Sequence, residues 1–206
     1  MYLVDDDLSV LRAVKRLLSS EGFDTKPYAD PRSFLAEHDP AEPGCIVLDV
    51  SMPGLSGIDL QTALSGLRHG QPVIFISGGA DVPTSVTAMK AGAIDFLIKP
   101  FDDTVLLAAV REAVRRDSAR REAEAGRLDF QTRLDGLTPR ERAVFIRVIV
   151  GRLNKQIAAD LNIVEKTVKV HRARVMRKMG VRSLAELVRL ADKFDLAATP
   201  DPAAKH

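Results

Sequence analysis

Cys45-Ile46-Val47-Leu48-Asp49-Val50-Ser51-Met52-Pro53-Gly54-Leu55-Ser56-Gly57 reads as a buried strand that ends on an acid and then breaks into a loop. An unbroken apolar run containing Ile46 and Val47 suits a strand covered on both faces, and Pro53, Gly54 and Gly57 punctuate the loop after it. The same grammar recurs on either side. Tyr2–Val4 runs into Asp5, Asp6 and Asp7, Val73–Ile76 into Ser77, Gly78 and Gly79, and Ile94–Ile98 into Lys99 and Pro100. Phe23–Pro27 is a further strand, and its proline marks it as an edge. Helical patterns lie between the strands. They are Leu11, Val14 and Leu18 flanked by Val10 and Leu17, then Pro31–His38, Ile58–Leu67, and Pro83 to about Ala91 with Gly92 closing it. A last helix from Asp102 turns Leu106, Leu107, Val110 and Val114 inward. Five strands alternating with five helices predict a flavodoxin-like α/β fold, a doubly wound five-stranded parallel sheet.

In such a sheet, ligands gather outside the carboxyl ends of the strands, near the reversal in strand order. The strand ends here deliver Asp5, Asp6 and Asp7, then Asp49, Ser77 and Lys99. Carboxylates brought together repel one another strongly at low effective dielectric. A hard divalent cation with oxygen ligands relieves that repulsion, and magnesium keeps waters that a phosphate can replace. A carboxylate can attack phosphorus to form an acyl phosphate, with metal and lysine stabilising the transferring oxygens. Ser77 could hydrogen-bond a phosphoryl oxygen after transfer. Taken singly, each residue has a plainer role: Asp7 as a helix N-cap, Lys99 as an exposed strand-end charge, Phe96 as a core aromatic. Their joint placement at the strand ends favours the phosphoryl chemistry.

The 206 residues carry a formal net charge of only +2, but it is unevenly divided. Residues 1–120 hold 12 Lys/Arg against 17 Asp/Glu, residues 121–206 hold 18 against 11, and within 137–194 the count is 14 against 5. An acidic half joined to a basic half implies two domains with different partners, that of the second polyanionic. Cys45 is the single cysteine, which excludes an internal disulfide framework and a multi-cysteine zinc cluster. No apolar run reaches the roughly 18 residues of a membrane helix, and the amino terminus lacks signal-peptide character. The expected location is the cytoplasm, with no membrane partner.

Residues 118–136, rich in Ala, Arg and Glu, predict a solvated helical linker with a break near Gly126. No coiled-coil seam continues from Val110 and Val114, because the next positions fall on Asp117 and Arg121. Thr138-Pro139-Arg140-Glu141 is a strong helix start: a capping threonine, a first-turn proline and the glutamate of a capping box. That helix buries Val144, Phe145 and Val148, and a second begins near Asn154. A third runs from about Glu165 to Met179, where Gly180 ends it, and Ser183 begins a fourth with Leu184, Leu187, Val188 and Ala191 on one side. On the third helix Val168, Val175 and Met179 share the core face, while Lys166, Lys169, Val170, Ala173, Arg174 and Arg177 spread over the other half. From Lys166 through Lys178 there are six Lys/Arg and no acid. A valine amid cations fits a major groove, where it meets a thymine methyl while the cations meet guanine edges or phosphates. A basic helix packed on the acidic half is a second reading, compatible with the first. The short turn between the second and third helices has helix-turn-helix spacing. The tail, 195–206, is expected to be disordered.

Val4-Asp5-Asp6, Leu48-Asp49-Val50-Ser51-Met52-Pro53-Gly54, Ser77-Gly78 and Lys99-Pro100 resemble the signature of response regulator receiver domains, and Met89 through Phe101 is similar to the FixJ-type subgroup. Leu137 through Glu141, Asn154 through Ala158 and Glu165 through His171 resemble the LuxR-type helix-turn-helix domain of the FixJ/NarL regulators. The first resemblance implies Asp49 as phosphoacceptor and Asp5, Asp6, Asp49 and the Ser51 main-chain carbonyl as the Mg2+ site. It also implies Ser77 and Phe96 as coupled switch residues and Lys99 as the phosphoryl-contacting cation. The second implies a third helix in the major groove, with Lys169 and Val170 on bases and Lys166, Thr167 and Arg174 on phosphates. Val164 stands where that family usually has a capping serine or threonine, a loss worth roughly 0.5–2 kcal/mol. His171 falls near the core side of the wheel, where a structural role is expected.

The expected domains are therefore a receiver over 1–117, a helical linker over 118–136, a helix-turn-helix domain over 137–194 and the tail. The resemblance implies a transcription factor that a sensor histidine kinase phosphorylates on Asp49. It then dimerises through the surface around residues 83–99, binds double-stranded DNA and engages the transcription machinery. It has no enzymatic turnover beyond its own Mg2+-dependent phosphorylation and dephosphorylation. Two alternatives use the same residues differently: an aspartate-nucleophile magnesium phosphatase, and a phosphorylation-independent regulator acting through protein contacts.

Overall fold

A computed structural model describes residues 1–65, 70–79, 82–194 and 196. The chain divides into two compact units, Met1–Glu122 and Ala123–His206.

In the first unit, β1 (Tyr2–Val4), β2 (Lys26–Tyr28), β3 (Ile46–Asp49), β4 (Val73–Ser77) and β5 (Asp95–Ile98) form one sheet in the order β2-β1-β3-β4-β5. Every neighbouring pair is parallel, with Leu3 opposite Val47 and Phe75 opposite Phe96. Alternate side chains point to opposite faces of a strand, so each strand feeds two cores. Leu3, Val47, Ile74 and Ile76 pack with Leu11, Val14 and Leu18 of α1 (Leu8–Ser20) and Leu106 and Val110 of α5 (Asp103–Asp135). Tyr2, Val4, Ile46, Leu48 and Phe75 pack with Phe34 of α2 (Pro31–Glu37), Leu60 and Leu64 of α3 (Gly57–Ser65) and Ala88 of α4 (Val82–Lys90). The expected parallel, doubly covered sheet is the one observed.

The second strand starts later than the Phe23–Pro27 pattern predicts. Phe23 is taken up by the end of α1: Gly22, at φ +82°, and Phe23 donate their amides to the Ser19 and Leu18 carbonyls, so Phe23 finishes a helix cap. The end of the expected third helix, Gly66 and Leu67, lies outside the described residues. So does most of the expected tail.

Helix α5 also departs from expectation. It continues through Gly126 without a break as far as Asp135. An internal glycine costs a helix only about 1 kcal/mol relative to alanine. Here the cost is offset by burial farther along, for Phe130 and Leu134 join the core of the second unit. Asp117 is not solvated either, at 1% exposed. It accepts from the Gly44 amide at 2.9 Å and from Arg120 and Arg121 at 2.5 and 2.6 Å. Arg121 in turn donates to the carbonyls of Pro40, Ala41 and Glu42. One carboxylate and one guanidinium thus fasten the loop before β3 to α5.

The second unit adds α6 (Pro139–Ile149), α7 (Asn154–Leu161), α8 (Glu165–Met179) and α9 (Leu184–Lys193). Val144, Phe145, Val148, Ile157, Val168, Val175, Met179, Leu187 and Ala191 form its core. The predicted capping box is present: the Glu141 amide donates to Thr138 Oγ1 and the Thr138 amide to the Glu141 carboxylate.

Candidate functional site

The parallel register places the ends of β1, β3, β4 and β5 side by side, at the point where β1 and β3 lead their connections in opposite directions. Asp5 leaves β1 fully buried, Asp49 ends β3 at 3% exposed, and Ser77 ends β4 fully buried. Lys99 reaches across from β5 and donates to Asp5 Oδ2 at 2.6 Å and to Asp49 Oδ1 at 2.7 Å. The other oxygens of the pair are also held. Asp5 Oδ1 accepts from the Asp7 amide at 2.9 Å, and Asp49 Oδ2 from the Ser51 amide at 2.6 Å. One ammonium therefore answers two buried carboxylates.

The electrostatics follow from that arrangement. Burial pushes the Asp5 carboxyl above its ordinary range, against the opposing pull of Lys99. Burial alone would lower Lys99, but hydrogen bonds to Asp49 and Asp5 outweigh it and raise the ammonium instead. Asp7 caps α1 through the Ser9 amide, the plainer of its two roles. Ser77 donates its hydroxyl to the Gly79 carbonyl at 2.8 Å, and Phe96 lies half-buried with its ring 6.2 Å from that of Phe75.

The expected carboxylate cluster is only partly assembled. Asp5 and Asp49 meet through Lys99, whereas Asp6 remains exposed. Among the described residues no three acidic, histidine or cysteine side chains are grouped so as to hold a metal. The donors are nonetheless of the right kind for Mg2+. Asp5, Asp6, Asp49 and the Ser51 carbonyl offer hard oxygens, and added positive charge would favour the ionised form of Asp5 that burial disfavours.

Gly57 is a contributor that sequence reading missed. It donates its amide to the Val50 carbonyl at 3.0 Å, and a Cβ there would overlap the Asp49 carbonyl oxygen and stand 3.1 Å from the Phe75 ring. The amino end of α3 can approach the backbone of Asp49 only because this position has no side chain.

In the second unit, α8 has the predicted bounds and its core face is Val168, Val175 and Met179. Lys166, Lys169 and Arg174 are exposed, Thr167 is half-buried and Val170 is 45% exposed. Lys169 stands 3.8 Å from Glu165, its weak exposed neighbour one turn back. Val164 supplies no side-chain cap, as its sequence implies. His171 is half-buried with Nδ1 sequestered and unpartnered, consistent with a structural place. Two other bases of this helix are engaged internally. Arg172 donates to Asn154 at 2.7 Å, and Lys178 to Glu141 at 2.6 Å. Lys178 first, then the Thr138 amide, hold the Glu141 carboxyl at about 2. No helix among the described residues is long and apolar enough to cross a membrane.

Comparison with known proteins places both units. The response regulator receiver domain family matches residues 1–111, and the LuxR family of bacterial regulatory proteins matches residues 135–191. Nodulation protein W of Bradyrhizobium diazoefficiens is 44% identical over 96% of this chain and 87% of its own length. The transcriptional regulatory protein FixJ of Azorhizobium caulinodans is 43% identical over 98% of this chain and 95% of its own. The solved structure of the response regulator StyR shares 44% identity with a TM-score of 0.87, covering 93% of this chain and 97% of StyR. Full-length FixJ from B. japonicum shares 40% identity with a TM-score of 0.58, over 95% and 96%. The chain belongs to the response regulators, as a transcription factor that joins a receiver domain to a LuxR-type DNA-binding domain.

Proposed function

We propose that this protein is a cytoplasmic regulator whose Asp49 takes a phosphoryl group from a sensor histidine kinase, and whose α8 then reads a two-fold site on double-stranded DNA. The observation that carries the first half is the buried Asp5–Lys99–Asp49 bridge. An Asp49 oxygen bonds to phosphorus as the phosphorus–nitrogen bond to the donor imidazole breaks, and the imidazole leaves with its electron pair. Lys99 already stands on the attacking carboxylate, close enough to turn a donor from the Asp5–Asp49 pair to the transferred oxygens as charge develops on them. Mg2+, held by Asp5, Asp6, Asp49 and the Ser51 carbonyl, would supply further charge neutralisation there. Ser77 must exchange its bond to the Gly79 carbonyl for one to a phosphoryl oxygen, and Phe96 turns with it. Beyond this self-phosphorylation, the one other reaction is dephosphorylation, in which water attacks phosphorus and the Asp49 carboxylate leaves with the electron pair of the broken P–O bond.

Dimerisation is proposed through α4 and β5, around residues 83–99. Val86 and Met89 on α4 and Ile98 on β5 leave apolar surface in water there, at 44%, 46% and 57% exposed. For DNA, the support is the basic face of α8, where Lys166 through Lys178 includes no acid and Glu165 alone, in the first turn, stands near Lys169. Lys169 and Val170 would meet base edges, Lys166, Thr167 and Arg174 phosphates, with the transcription machinery recruited beside them. Light scattering before and after adding Mg2+ and beryllofluoride tests the coupling. Mass should double, and an unchanged mass with the site demonstrably occupied refutes the dimerisation step. Lys169→Ala should lower affinity for the preferred duplex on the order of ten-fold and blunt discrimination among sequences.

A further inference from the structure

The carboxyl end of α8 is held by the last turns of α5, where Asp129 and Arg133 lie before the stretch matched to the LuxR family. Arg133 donates from Nη1 to the Met179 carbonyl at 2.9 Å. That carbonyl is among the last of α8, which have no partner inside the helix. Asp129, one turn earlier on α5, steadies the guanidinium at 2.8 Å. In the opposite direction Lys178 of α8 donates to the Gly136 carbonyl, just beyond α5, at 2.9 Å. Gly180 leaves room for this: it takes φ +69° as the left-handed cap of α8, and a Cβ there would overlap Arg133 Nη1. Phe130, buried and stacked on Phe194 with ring centroids 4.6 Å apart, seats the same stretch of α5.

We propose that Arg133 is a positioning residue for DNA recognition, setting the pose in which α8 presents Lys169 and Val170 to base edges. The inference rests on α8 being the reading helix. At its amino end α8 has only Val164, with no side-chain cap, so its placement depends on its core residues, on the Arg172–Asn154 bond to α7 and on what grips its carboxyl end. A guanidinium there also meets the negative end of the helix dipole. Hydrogen bonds to base edges fail with small displacements, whereas phosphate contacts through long flexible cations tolerate them. Loss of Arg133 therefore acts on specificity first. Arg133 touches no proposed phosphate contact, so the salt dependence of binding stays as it was.

The test uses the full chain, with a duplex enriched from a randomised double-stranded library on the unmodified protein and a scrambled duplex as control. Arg133→Met keeps the aliphatic stem and removes the bond; Arg133→Lys keeps the charge. For Arg133→Met, affinity for the enriched duplex should fall on the order of ten-fold, with affinity for the scrambled duplex and the salt slope unchanged. Arg133→Lys should recover a large part of the loss. Lys169→Ala runs alongside: no loss there refutes α8 as the reading helix, whereas a loss there with Arg133→Met at full affinity refutes this inference alone. Equal losses on both duplexes, with lowered thermal stability and no rescue by lysine, would make Arg133 a merely structural residue and overturn the proposal.

Discussion

Glu141→Gln isolates the ion pair that ties α6 to α8. Glutamine keeps the shape, and its side-chain oxygen can still accept from the Thr138 amide, so the capping box survives while the charge opposite Lys178 is lost. Glu141 is 2% exposed, and its carboxyl is held at about 2 against an ordinary 4.5. A depressed carboxyl stabilises the fold fully above its unfolded value, and that stability is lost as pH falls through the folded one. The gap corresponds to about 3 kcal/mol at pH 7, shrinking to about 1.5 kcal/mol at pH 3, as an order of magnitude. Both tyrosines, Tyr2 and Tyr28, lie in the first unit, and there is no tryptophan. Tyrosine fluorescence thus follows the receiver alone, and far-ultraviolet dichroism follows both units. In urea, the variant should shift the dichroism transition and leave the fluorescence transition in place, with the deficit narrowing between pH 4.5 and pH 3. A deficit of the same size at pH 7 and pH 3 would refute the ion pair as its cause, and a shift in the fluorescence transition would refute its assignment to the second unit.

Gly57→Ala should abolish phosphorylation of Asp49 or slow it strongly, because the added methyl overlaps the Asp49 carbonyl; phosphorylation at the wild-type rate would contradict the close approach. Asp117→Asn leaves Arg120 and Arg121 facing a neutral partner in a buried setting, and should destabilise the receiver by about 3 kcal/mol, read by tyrosine fluorescence in urea. Lys99→Met should block phosphoryl transfer and push Asp5 further upward. A raised carboxyl favours the folded state only while protonated, so the stability deficit of this variant should grow as pH rises above about 4. A deficit independent of pH would argue against the bridge.

Much of the proposed phosphorylation site was legible because its residues sit at strand ends, where local pattern and topology coincide. Asp49 and Lys99 emerge directly from apolar runs that stop on a charge. Asp6 was less legible, since adjacent acids on an emerging strand look alike until the backbone sends Asp5 inward and Asp6 to the surface. Helix α8 was read to the residue because Gly180 and the core spacing of Val168, Val175 and Met179 agree. Contacts between segments distant in sequence escaped. Asp117 and Arg121 look like a solvated helix face until the loop at 40–44 folds over them. Gly126 looks like a helix break until Phe130 and Leu134 find their core. Gly57 reads as loop punctuation, and only the third dimension shows what its missing side chain avoids. Phe130, with Leu134 at helical spacing after it, was the one sequence signal that α5 belongs partly to the second core.

If a phosphoryl group on Asp49 governs DNA binding by α8, occupancy and affinity must move together. Both can be read on the full chain, as affinity for a library-enriched duplex with and without Mg2+ and a small-molecule phosphodonor, and as occupancy of Asp49 by intact mass. Binding should tighten in proportion to phosphorylated protein, and an Asp49→Asn variant should neither gain mass nor respond. Equal affinity at full and zero occupancy, or an Asp49→Asn variant that responds as the wild type does, would contradict this coupling.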